Sequence, residues 1–175
     1  MSWPIRLCHR FIGSTDGVAG IEFTIVAPIL VLLLLGFYDA GTALAIYNKT
    51  RFATATLAQI TNQYTTIHDT DMTQILGATT AVLAPYSGTP ATSNVSQIAI
   101  SASGAATVSW STNLSPGSKF TLPSTLAIPN SYLIYATVSY TFTPVFSYFI
   151  SGPIALSDSI YVSPRSVASI TRTSP

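Results

Sequence analysis

The chain has 175 residues with seven Lys or Arg, six Asp or Glu, two His and a formal net charge of +1. Charged residues make up 7% of it, against roughly 25% in ordinary soluble domains. So sparse and balanced a set excludes the basic footprint of a nucleic-acid or polyanion binder, and a lone cysteine, Cys8, excludes a disulfide framework within the chain.

In chain order, the first element is the apolar run that follows "GVAGIEF". From Ile21 to Tyr38 almost every residue is apolar, Glu22, Thr24 and Gly36 being the exceptions, and the apolar character continues through Ala40–Tyr47. A bilayer core takes about 20 helical residues, so the segment is long enough to span it. It outruns the apolar core of a secretory signal peptide, which points to a retained anchor. Pro28 lies inside the run, where membrane helices tolerate the missing N–H. Arg6 and Arg10 precede the span while Lys49 and Arg51 follow it, so loop charge leaves its sidedness undecided.

With Gly17 as position −1, Glu22 falls at +5, ahead of a hydrophobic helix. That is the pattern cut by prepilin peptidases: a short basic leader, Gly, four small or apolar residues, Glu, then a greasy stretch. The longer segment "VAGIEFTIVAPILVLLLLGFYDAGTAL" carries a small-residue run, I-E-F, a Pro in a Leu-rich helix, and G-x-x-D-x-G at Gly36–Gly41. It resembles the TadE-like family of tight-adherence (Flp) pilus assembly proteins. The aromatic segment Val138–Phe146 and the segment Ser159–Arg165 are similar to the C-terminal strands of that family. The resemblance implies cleavage between Gly17 and Val18, a cytoplasmic N-terminus and a body outside the bacterial inner membrane. It also implies three protein partners: a prepilin peptidase, the major Flp-type pilin and a sister minor pilin-like protein.

Glu22 and Asp39 are the two acids of the apolar segment. Glu22 suits the first turn of a helix, facing the positive end of its dipole. After cleavage the new amine of Val18 would lie one turn away and neutralise a group that costs roughly 2.5–3.5 kcal/mol at mid-membrane. Asp39 comes 17 residues later, roughly 25 Å along a helix, near the opposite interface. There it is either a wet interfacial carboxylate or a polar contact to a partner helix. For the second role Gly36, Ala40 and Gly41 are the packing candidates, because Gly36-x-x-x-Ala40 permits close approach.

Beyond the membrane, Phe52, Leu57, Ile60, Tyr64 and Ile67 recur at helical spacing, and no Pro or Gly interrupts residues 42–67. One helix is expected from about Glu22 to Ile67, roughly 69 Å long. His68-Asp69-Thr70-Asp71 ends it, with Asp69 or Thr70 capping a second helix, "DMTQILGATTAVLAP", that Pro85 stops. Three candidate ligands within four residues are poor metal geometry, so His68, Asp69 and Asp71 read as capping groups.

Residues 87–95 read as a Ser/Gly/Thr/Pro loop, and "VSQIAISA" with "ATVSWS" as a β-hairpin turning at Ser103-Gly104. Residues 112–131, with Pro116, Gly117, Pro123 and Pro129, read as a long irregular connection. "YLIYATVSYTF" and "IALSDSIYVSP" are strands, and "RSVASITRTSP" is expected to fray.

Nothing here supports an enzyme. The only histidines are His9 and His68, Asp158 is the only acid after Asp71, and there is neither a G-x-S-x-G motif nor a Gly-rich phosphate loop. A general acid–base pair has almost no candidates, and no metal, cofactor or small-molecule substrate is expected. The expected fold is α+β and pilin-like: a long N-terminal transmembrane helix continuing into an amphipathic one, a second short helix and a small antiparallel sheet. The expected parts are a cytoplasmic prepilin-type leader at 1–17, a transmembrane helix at 18–47 and an extracytoplasmic α+β domain at 48–175. The expected function is that of a minor pseudopilin in assembly of a tight-adherence (Flp, type IVb) pilus, cut by a prepilin peptidase. The alternative is a single-pass, membrane-anchored extracytoplasmic binding module unrelated to pili and not processed.

Overall fold

A computed structural model describes residues 16–146, 151–165 and 168–173. The leader residues 1–15, Cys8 among them, lie outside the described residues.

Helix α1 runs from Asp16 to Thr61 with Pro28 inside it. It ends six residues before the expected Ile67. At its end the hydrogen bonds tighten, from Asn62 N–H to Ala58 (3.0 Å), then Gln63 to Ile60 and Tyr64 to Thr61. The β-branched residues after Tyr64 go over to strand β1 (Thr66–His68), where such side chains fit better than in a helix. Ile67 is therefore a buried strand residue rather than the last member of a helical stripe.

Helix α2 (Asp69–Leu83) buries Met72, Ile75, Thr79 and Leu83, one per turn. Its N-cap is His68, one residue earlier than expected, and the His68 N–H donates to Asp71 Oδ2 at 2.9 Å. Asp69 and Asp71 sit in the first turn, where the helix dipole favours them. The far end, just before Pro85, is closed by Lys49 of α1, whose Nζ donates to the carbonyls of Val82 and Ala84. A cation on orphan C-terminal carbonyls is favourable, and here it also ties the two helices together.

The body is a four-stranded antiparallel sheet in the order β3-β2-β4-β5, built from β2 (Ala91–Ile100), β3 (Ala106–Ser111), β4 (Ser131–Phe142) and β5 (Ile154–Val162). Strand β2 starts at Ala91, inside the segment expected to be loop. Its first residues pair with the end of β4, Ala91 with Tyr140 and Thr92 with Ser139, so a polar Ser/Thr run is held extended by its neighbour.

One face of the sheet packs on the helices. Ala53, Leu57 and Ala58 of α1 and Met72 and Ile75 of α2 meet Val95, Trp110, Ile134, Ala136 and Val138. Nearer the apolar half of α1, Ile46 and Leu83 meet Tyr140 and Phe142. The opposite face buries Ile98, Ile100, Val108 and Leu133. The connection 112–131, irregular apart from a short 3-10 helix at Ser124–Leu126, covers that face with Phe120, Leu122 and Leu126. A bulge separates the two cores. Gln97 pairs with Trp110 but Ile98 pairs with Val108, leaving Ser109 as the extra residue. Val108 and Trp110 therefore face opposite sides despite their even spacing.

The tail does not fray at residues 168–173. Strand β6 (Thr171–Thr173) pairs in parallel with β1. Ile170 is buried, its carbonyl accepting from Trp110 Nε1 at 2.8 Å and its N–H donating to Gln97 Oε1 at 2.7 Å. Arg172 reaches Asp69 at 3.3 Å, and Thr173 Oγ1 lies 2.8 Å from His68 Nδ1.

Candidate functional site

The element that sets this chain apart is the N-terminal half of α1. The helix carries a segment long and apolar enough to cross a membrane, and that window has no share buried against the rest of the chain. Ile21, Phe23, Leu30, Leu34 and Phe37 are all exposed. A row of bare apolar side chains on one rod is not the core helix of a water-soluble fold, because it would leave its whole hydrophobic surface in solvent. Single-pass membrane anchoring follows from that geometry.

The C-terminal half is built differently. Its buried face is Ile46, Thr50, Ala53, Thr54, Leu57, Ala58 and Thr61. The three threonines each turn their hydroxyl back onto the carbonyl four residues earlier, at 2.8–2.9 Å. With their polar atoms satisfied locally they pack as small apolar residues, and small residues let the helix lie close on the sheet. Phe52, expected in the buried stripe, is 68% exposed. It faces outward beside Arg51, on a shallow depression of about 280 Å³ that Asp158 and Ile160 also line.

The residues singled out for processing lie on the exposed rod. Gly17 is helical, and Val18 and Glu22 are exposed on the first turns of α1, one turn apart. Among the packing candidates, Gly36 is half-buried while Ala40 and Gly41 are exposed. A Cβ at Gly41 would meet nothing within 4 Å. Among the described residues, therefore, nothing packs on Gly41.

Asp39 is different. It is 5% exposed, and its two carboxylate oxygens accept the backbone N–H groups of Val145 and Phe146, each at 3.1 Å. The ring of Phe146 packs edge-on against Tyr38, centroids 5.9 Å apart. The two acceptor oxygens of the carboxyl group are thus used inside the chain, on the turn between β4 and β5. The sequence reading placed Asp39 at the membrane exit but did not find this partner, which lies more than a hundred residues away. A turn carrying Val145 and Phe146 directly after the alternating segment "YLIYATVSYTF" was the available signal.

Two further polar residues have the same function in the body. Asn62, buried at the end of α1, accepts the N–H of Arg165 at 2.7 Å, and buried Gln97 holds Ile170 and Ser169. His68, Asp69 and Asp71 act as caps and tail contacts, and no group of three metal-ligating side chains occurs among the described residues.

Residues 17–59 match the family model of the TadE-like proteins. This stretch is TadE-like. The match takes in the exposed apolar rod, Glu22, Asp39 and most of the helical face that packs on the sheet. No curated protein and no solved structure matches the chain significantly.

Proposed function

We propose that the protein is a minor pseudopilin of a tight-adherence pilus. Its leader, residues 1–17, is removed by a prepilin peptidase, and α1 from Val18 onward holds it in the bacterial inner membrane. The N-terminus is cytoplasmic and the α+β body extracytoplasmic. Its protein partners are the peptidase, the Flp-type pilin and a sister minor pilin-like protein.

The observation that carries this reading is Gly17 followed at +5 by Glu22 on the exposed apolar helix, inside the TadE-like stretch. Cleavage before Val18 frees an amine about 6 Å along the helix axis from Glu22, and pairing it with the carboxylate of Glu22 offsets the cost of a lone charge in lipid. In a packed fibre the same amine can serve the Glu22 of a neighbouring subunit and set the register between rods. Gly36, Ala40 and Gly41 then provide the face on which another helix approaches.

N-terminal sequencing of the protein recovered from membranes tests the first step. The expected first residue is Val18, and bulky substitution of Gly17 abolishes the cut. Recovery of the native chain beginning at Met1 removes the processing claim and returns the reading to an uncut, membrane-anchored binding module. Loss of fibres with Glu22→Ala is the expected second result.

A further inference from the structure

Large apolar side chains stand exposed where the turn after β4 meets α1. Val145 is 67% exposed and Phe146 36%, in a turn, where polar residues are the rule. The backbone of that turn is fixed on the helix at one level, by the two hydrogen bonds to Asp39 and the edge-on contact of Phe146 with Tyr38. That level is the end of the apolar run, where Phe37 and Tyr38 are themselves exposed. Between Glu22 and Lys49 the only charged residue of α1 is Asp39, and its carboxylate is occupied by the turn. The exposed patch of Phe37, Tyr38, Val145 and Phe146 is therefore apolar, rich in aromatic rings and continuous with the membrane-spanning surface.

We infer that Val145 and Phe146 enter the lipid interface beside the point where α1 leaves the membrane. This rests on the reading of α1 as a membrane span. The occupant is the bilayer, at the depth where aromatic rings collect. The body then meets the membrane through two points, the helix and the turn, and Asp39 is the clamp that joins them. Two points fix the tilt of the sheet against the membrane plane, whereas a helix alone leaves it free to swing.

Single cysteines in a Cys8→Ser background provide the test. Val145→Cys, Leu32→Cys within the span and Ser103→Cys in the β2–β3 turn are labelled with a polarity-sensitive fluorophore. The full chain is reconstituted in phosphatidylcholine and phosphatidylglycerol vesicles, with and without brominated lipid. Ser103 is the distant control: β2 runs antiparallel to β4, pairing Ala91 with Tyr140 but Ile100 with Ser131, so the β2–β3 turn lies at the end of the sheet away from Val145.

The expected result is a blue shift and loss of intensity with brominated lipid for Val145→Cys and Leu32→Cys, and neither for Ser103→Cys. Quenching at Leu32→Cys with none at Val145→Cys overturns the turn contact and leaves the span standing. No quenching at Leu32→Cys overturns the span, and the turn contact with it. A label at Val145→Cys that is shielded from water but quenched only by a labelled second chain also overturns the proposal, because another copy then covers the patch.

Discussion

The side-chain oxygen of Gln97 accepts the backbone N–H of Ile170 at 2.7 Å, across 73 residues of chain. Gln97 is buried in the second strand of the sheet, and its amide nitrogen donates to Ser169 Oγ at 2.9 Å. Together with the indole of Trp110 on the Ile170 carbonyl, it holds the C-terminal tail in place beside β1. Gln97→Leu leaves a buried N–H without its acceptor, a loss of about 1–3 kcal/mol. The expected outcome is a lower melting temperature in detergent and faster tryptic cleavage after Arg172, with the strand content by circular dichroism nearly unchanged. Unaltered cleavage would show that the tail is held without the Gln97 contacts.

Asp39→Ala removes both acceptors of the β4–β5 turn. Hydrogen bonds to a charged group are worth about 1.5–3 kcal/mol each, and the two freed N–H groups regain water only if the turn lifts off the helix. The prediction is a drop in melting temperature together with increased proteolysis between β4 and β5. Asp39→Asn, which keeps one acceptor oxygen, should fall between wild type and Asp39→Ala. Equal behaviour of all three proteins in both assays would contradict the clamp.

Gly88 lies against α2 so closely that a Cβ there would be 2.7 Å from Thr80 Cγ2 and 3.0 Å from its Cβ. Gly88→Ala is expected to destabilise by about 1–3 kcal/mol through overpacking. Thr80→Ser removes the nearer carbon while keeping the hydroxyl that bonds to Gly77. The double variant Gly88→Ala/Thr80→Ser should recover part of the loss, measured as a thermal double-mutant cycle. Simple additivity of the two substitutions would argue against the contact.

Tyr161 stacks on Tyr135, centroids 4.8 Å apart, with Phe120 edge-on. Burial, and then the charge of an ionised Tyr135, push its pKa above the ordinary 10.0. The folded state thus holds this proton more tightly than the unfolded state. The resulting stability is fully present below pH 10 and is lost as the pH rises through the folded-state pKa. Denaturation midpoints measured upward from pH 9 should fall more steeply for wild type than for Tyr161→Phe. Parallel slopes would remove the effect.

Local signals made a large part of this molecule legible. The unbroken apolar run announced a rod long enough to cross a membrane. The alternation in "YLIYATVSYTF" announced β4, and the acids after His68 announced the start of a second helix. Each depends on neighbours within a turn or two, which composition and period report directly. The stripe on the second half of α1 was misread because Thr50, Thr54 and Thr61 look polar in the sequence. Their hydroxyls are satisfied by carbonyls of the same helix, so they are buried while Phe52 is left outside. Strand β6 was missed because its three residues are extended only through pairing with β1.

By itself, then, the sequence determined the apolar rod, the existence of a second helix and the strands with clean alternation, because those follow from hydrophobic period within short windows. Only the tertiary structure decided what the buried polar groups do. Asp39 meets the β4–β5 turn, Asn62 meets Arg165 and Gln97 meets Ile170. A buried donor or acceptor must find a partner, but the partner is chosen by how the sheet folds back on α1, and no local pattern encodes that distance.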